Sequence, residues 1–146
     1  MTCRILLLLI VGTCAFLNAA APRVVVTGTT SDCVASRSQR TPRVDVFIFP
    51  KSAQLATLID SVLKASDDNV FDRFGKLLKY VKRAKALSHT KSDDAGSFRA
   101  EIPALDKVIV FGYMEIEDNP LYWMYSEVDI GHRSRVTVAL DYCRPR

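Results

Sequence analysis

Histidine is scarce in this chain of 146 residues, which contains only His89 and His132. Neither stands at metal-ligating spacing from another donor, so no metal centre and no metal cofactor is expected. No G-x-S-x-G turn and no Cys/His nucleophile arrangement occurs either, which removes the usual signatures of acyl transfer. Long hydrophobic runs are lacking as well. The longest, Ile5 to Leu17, has 13 residues, whereas a bilayer core of roughly 30 Å needs about 20 at 1.5 Å each. The chain is therefore expected not to be transmembrane. Internal repeats and low-complexity linkers are also missing, and the length suits a single domain.

That same short run fits a secretory signal peptide over residues 1–20. Arg4 supplies the basic start, Ile5 to Leu17 the apolar middle, and Asn18-Ala19-Ala20-Ala21 the small-residue cleavage region. Cleavage is expected after Ala20, because Pro22 argues against a cut one residue later. A competing reading takes Val11-Gly12-Thr13-Cys14 as a lipobox that lipidates Cys14. Thr13 fits it poorly, and apolar residues continue beyond the cysteine. Residues 21–146 then form the domain of a secreted or periplasmic protein.

Four cysteines occur, and two of them leave with the leader. Cys33 and Cys143 remain, one near each end of the domain. In an oxidising compartment such an even pair most simply forms a disulfide, the alternative being two buried thiols. The formal charge is +4, but its distribution is more informative. Between Asn69 and Leu87 stand Arg73, Lys76, Lys79, Lys82, Arg83 and Lys85 against Asp72 alone. The basicity belongs to one segment.

Taken in order, Arg23 to Thr30 is β-branched and reads as a first strand, followed by a polar loop, Ser31 to Pro42. Val44 to Phe49 is apolar on both faces apart from Asp45, so both faces should be covered. Ser52 is a good N-cap, and Leu55, Leu58, Ile59, Val62 and Leu63 follow helical spacing. A break at Ser66-Asp67-Asp68 precedes a second stripe: Val70, Phe71, Phe74, Leu77, Leu78, Val81 and Ala84. Lys76, Lys79, Lys82 and Arg83 fall opposite it, while Lys85 lands near the stripe and has to snorkel. These residues predict a helical hairpin inserted at about 52–88.

The chain returns through Thr90 to Pro103. Asp93, Asp94 and Gly96 carry turn chemistry, and Phe98, Ala100 and Ile102 alternate with polar residues as on a half-buried strand. Three further strands are expected: Lys107 to Glu117, Leu121 to Ile130 after an Asp118-Asn119-Pro120 turn, and Arg135 to Tyr142 with Val136, Val138 and Leu140 inward. The succession of strands and short turns predicts a mainly β protein built as an antiparallel sandwich.

In this order the chain resembles the carboxypeptidase regulatory-like, or transthyretin-like (prealbumin-like), domains of secreted bacterial proteins. The likeness rests on Val44-x-Val46 and on Ser92-Asp93 through Gly96 and Phe98 to Pro103. The apolar strand Val108 to Tyr113 and the closing Val136 to Leu140 complete it. The resemblance implies seven strands in an antiparallel sandwich and a role as an accessory, folding or binding module, without catalysis. The helical insert falls outside it. Related enzymes depart from this chain: the hydroxyisourate hydrolases end in Tyr-Arg-Gly-Ser, whereas here Tyr142 leads into Cys143-Arg144-Pro145-Arg146. Intradiol dioxygenases need two tyrosines and two histidines on iron, for which His89 and His132 stand without partners.

Two features remain as candidate binding elements. Tyr122, Trp123 and Tyr125 are either core or, if the Trp123 face is open, an aromatic platform for sugar rings. Lys76, Lys79, Lys82 and Arg83 form a face suited to an anionic envelope surface or an acidic polysaccharide. Asp93 and Asp94 could join a calcium loop, but the full spacing is missing and turn capping explains them. Glu115, Glu117 and Asp118 read as a solvated hairpin tip. The leading expectation is a non-enzymatic binding module for carbohydrate, an anionic surface or another protein, with nucleic acid disfavoured by export. The alternative is a small secreted hydrolase or metal-dependent enzyme with an unrecognised site.

Overall fold

A computed structural model describes residues 21–31, 43–116 and 119–141. Its seven strands are β1 (Arg23–Ser31), β2 (Asp45–Pro50), β3 (Ser88–Lys91), β4 (Ser97–Pro103), β5 (Lys107–Ile116), β6 (Asn119–Asp129) and β7 (Arg135–Asp141). Helices α1 (Ala53–Leu63) and α2 (Val70–Arg83) lie between β2 and β3. The strands form two sheets, ordered β4-β1-β7 and β3-β2-β5-β6. The leader, Cys14, Cys33, Cys143 and the Asp118 turn position lie outside the described residues, as do Glu117 and most of the Ser31 to Pro42 loop.

Alternation along the strands builds the space between the sheets. Val24 and Val26 of β1, Phe98, Ala100 and Ile102 of β4, and Val136, Val138 and Leu140 of β7 point inward. They meet Val46 and Ile48 of β2 and Val108 and Val110 of β5. The opposite face of the larger sheet carries Phe47, Phe49, Ile109, Phe111, Tyr113 and Trp123. An aromatic face of that area cannot be left in water without a large hydrophobic cost. Leu55, Ile59 and Val62 of α1, with Phe74, Leu77 and Val81 of α2, cover it. β2 is thus apolar on both sides because it is buried on both sides.

Local chemistry sets the element ends as expected. The Ser52 hydroxyl accepts the Leu55 N–H at 3.2 Å and caps α1. Asp93 Oδ1 accepts the N–H groups of Ala95 at 2.9 Å and Ser97 at 2.8 Å, closing the turn into β4. Gly96, at φ 78°, takes the left-handed position there.

Three expectations need correction. The sandwich is not wholly antiparallel: β1 pairs antiparallel with β4 but parallel with β7. No hairpin joins β1 to β7, since the rest of the domain lies between them. Nothing local therefore fixes their relative direction. Second, Ser88 to Lys91 is a strand, so the insert ends earlier than residue 88, with α2 stopping at Arg83. Third, Ala84 is already extended at φ −67°, ψ 143°, so Lys85 leaves the helix and is exposed instead of snorkelling beside the stripe.

Candidate functional site

On α2, residues three and four apart share a face. Phe74, Leu77 and Val81 use one face for the sheet, which turns Lys76, Lys79 and Arg83 outward. α1 runs alongside and adds Gln54 and Leu58. Together with Tyr80 and Ala84 these residues line an open groove of about 540 Å³ on the outer surface of the hairpin. Its character is mixed: Leu58, Ala84 and the Tyr80 ring give apolar surface, while two lysines and an arginine supply positive charge. From Lys76 to Arg83 the helix rises about 10 Å, so the cations lie along the groove in a row.

The four basic residues singled out in the sequence are not equivalent. Lys76 Nζ bonds Asp72 Oδ2 at 2.7 Å one turn earlier, an exposed pair of small net worth. Lys79 and Arg83 have no ion-pair partner among the described residues. Lys82 leaves the groove and places its ammonium 5.5 Å from the centre of the Tyr113 ring, within cation–π range. Three of the four cations are thus brought together. Sequence reasoning missed Tyr80, Leu58 and Gln54 as lining residues; Tyr80 stands four residues after Lys76 and three before Arg83, a spacing that puts it on their flank.

The aromatic residues of β6 divide as strand alternation requires. Tyr122 is half-buried against the space between the sheets, while Trp123 and Tyr125 turn towards the helices. Trp123 is only 9% exposed. Its ring lies 5.7 Å from Phe74 and 5.8 Å from Phe111, centre to centre. Those contacts occupy the ring, so Trp123 is a packing residue beneath α2. Tyr125 borders a smaller hollow of about 230 Å³ with Ala56, Ile59 and Leu63 of α1. Trp123 therefore offers no open sugar platform.

His89 lies in β3. It stacks on Phe47 with ring centres 4.0 Å apart and planes 6° apart, and its Nε2 lies 2.9 Å from Asp45 Oδ1. Lys91 Nζ approaches the other oxygen of Asp45 at 3.7 Å. His132 occupies the exposed turn between β6 and β7. Asp94 pairs with Arg43 at 3.1 Å and Asp93 closes its turn, so both carboxylates have structural work.

No protein-family model matches the chain, and no curated protein matches it in sequence. Solved structures do match in fold. A Pseudomonas aeruginosa protein provisionally described as carbohydrate-binding shares 12% identity over 83% of this chain and 89% of its own, with a TM-score of 0.50. The shaft pilin SpaA from Lactobacillus rhamnosus GG shares 11% identity over 82% of this chain, with a TM-score of 0.40. This chain spans about half of that pilin, 48%. The fold is a β-sandwich. Among the described residues no helix is long and apolar enough to cross a membrane.

Proposed function

We propose that the protein is an extracytoplasmic, non-enzymatic binding module of the carboxypeptidase regulatory-like or transthyretin-like type. Its working surface is the outer groove of the helical hairpin, and its ligand is an acidic carbohydrate of the cell envelope. The groove itself is the observation that carries this reading: Lys76, Lys79 and Arg83 in a row beside the Tyr80 ring. A chain of acidic sugars offers carboxylates to such cations and apolar C–H faces to an aromatic ring, and cations in a row beside that ring match a repeating polymer. The described domain also spends its aromatic sheet face on the hairpin, which leaves the hairpin's polar side facing outward.

Affinity for such a ligand depends on salt, since the cations are exposed and screening sets in at about 10 Å in 0.1 M salt. Passing the exported protein over an immobilised polyuronate at low salt tests the reading. Retention is expected, and a Lys76→Glu, Lys79→Glu, Arg83→Glu variant should bind at least about tenfold more weakly, taking roughly 0.5 kcal/mol per contact and adding the repulsion of reversed charge. Lys82→Glu, on the far flank, should change retention much less. Unchanged retention of the triple variant rules the groove out.

The enzymatic alternative draws on one observation, the Asp45–His89 pair. A His oriented by a carboxylate is half of a nucleophile-activating device. Yet no Ser, Thr or Cys side chain bonds His89 among the described residues, and one ring face is spent on Phe47. Hydrolysis of any substrate in a broad ester and glycoside panel, abolished by His89→Ala, would replace the binding reading.

A further inference from the structure

A second basic hollow lies apart from the hairpin groove, where β4 ends, β1 begins and β6 turns into β7. Pro22, Arg23, Val24 and Ala104 form one side of it, and the turn Gly131, His132, Arg133 and Ser134 forms the other. Its volume is about 250 Å³, room for roughly eight waters at 30 Å³ each. That is below the range of pockets that take drug-sized ligands. It suits one compact group and not a polymer.

We propose that this hollow is a binding site for a small oxyanion, a carboxylate or phosphate group, held between Arg23 and Arg133 with His132 beside them. Charge is the first argument. Arg23, His132 and Arg133 are among the residues that border the hollow, and no Asp or Glu is. Arg23 reaches Glu101 only at 4.0 Å, across an exposed contact, and Arg133 has no ion-pair partner among the described residues. The turn bonds Asp106 through its carbonyl, not its carboxylate, and Asp129 beside the turn pairs with Lys107 at 3.2 Å. Guanidinium groups present donors in a planar fork that matches carboxylate and phosphate oxygens, which a lysine ammonium does not.

Preorganisation is the second argument. Backbone bonds lock together the segments that carry these side chains. Ala104 N–H donates to the Pro22 carbonyl at 2.9 Å, and Val25 N–H to the Ser134 carbonyl at 3.0 Å. Ile130 N–H donates to the Asp106 carbonyl at 2.8 Å, and Arg133 N–H to the Ile130 carbonyl at 3.1 Å. Gly131 completes the turn at φ 54°. Residues more than a hundred positions apart in sequence are thus fixed around one space before any ligand arrives, which lowers the ordering cost of binding.

The experiment is an NMR titration of the exported protein with sodium phosphate and, separately, with sodium acetate, at constant ionic strength. Saturable shifts are expected at the amides of Gly131 to Ser134 and at the His132 ring for at least one anion. Phosphate alone, acetate alone or both identifies the oxyanion, and each supports the site. Arg133→Ala and Arg23→Ala should each weaken binding about tenfold, the scale of one lost charge-assisted bond. Both side chains are exposed, so an unchanged amide spectrum elsewhere will verify the fold. The Lys76, Lys79, Arg83 charge reversal should leave this titration unaltered, which separates the site from the hairpin groove. Linear, unsaturable shifts with both anions, or saturation that survives Arg133→Ala, would overturn the proposal.

Discussion

At Gly28 a methyl group has nowhere to go. A Cβ built there overlaps the ring of Phe98 and lies 2.5 Å from the Val138 carbonyl oxygen. Phe98 of β4 and Val138 of β7 are the register partners of Gly28 on its two sides, so the ring lies over a gap that only glycine leaves. Gly28→Ala should cost about 2 kcal/mol, in the usual range for overpacking, seen as a lower denaturant midpoint with unchanged slope. An unchanged midpoint would show that Phe98 moves aside freely. Asp93 is a second such point. Asp93→Ala removes the acceptor of two turn N–H groups and should cost about 1 to 2 kcal/mol, whereas Asp94→Ala, which loses only an exposed pair with Arg43, should cost less than about 0.5 kcal/mol. Equal losses from the two would assign the turn's stability to something other than those bonds. Asp93 was legible in the sequence because capping is local; the need for Gly28 was not, because the ring that covers it arrives from β4.

For the elements, helix α2 divides its labour between its faces. Phe74 fills the space above Trp123, so Phe74→Ala should cost about 3 to 5 kcal/mol as a core cavity. Trp123 is the sole tryptophan of the chain, and its fluorescence reports directly on the hairpin. Native emission should be blue-shifted, and Phe74→Ala should move it to the red; water-like emission from the unmodified protein would contradict the packing. Lys79→Ala on the outer face should leave stability within about 0.5 kcal/mol. The helical stripe and the Ser52 cap were legible because periodicity and capping act within a few residues. Strand β3 was not, since Ser88-His89-Thr90-Lys91 is polar and carries no strand signal of its own. Backbone pairing with Asp45 to Ile48 makes it a strand, and His89 then finds Phe47 beside it.

Across the whole molecule, the two ends of the domain are brought together by the parallel pairing of β1 and β7. Its last described pair is Ser31 opposite Asp141, and in sequence Cys33 and Cys143 each stand two residues further on. Both cysteines lie outside the described residues, and their pairing in a disulfide is a proposal from their even number in an exported chain. Closing a loop of about 110 residues would add on the order of 4 to 5 kcal/mol on the chain-entropy view. Intact mass analysis of exported protein under non-reducing conditions should show two hydrogens fewer than the reduced chain, and two alkylatable thiols would refute the bond.

The strand alternation, the doubly apolar β2 and β5, the amphipathic hairpin and the localised basicity are all written within short windows of sequence, because burial selects side chains at the period of the element that carries them. They determined a two-layer β protein with helices over one face. Direction and encounter lie beyond any such window. The parallel entry of β7, the burial of Trp123 beneath Phe74, the departure of Lys82 from the other groove cations and the meeting of Arg23 with Arg133 depend on contacts between distant segments. Only the packing of the two sheets and the hairpin decided those, since each is fixed by the whole set of cross-strand registers and by no residue's neighbours in sequence.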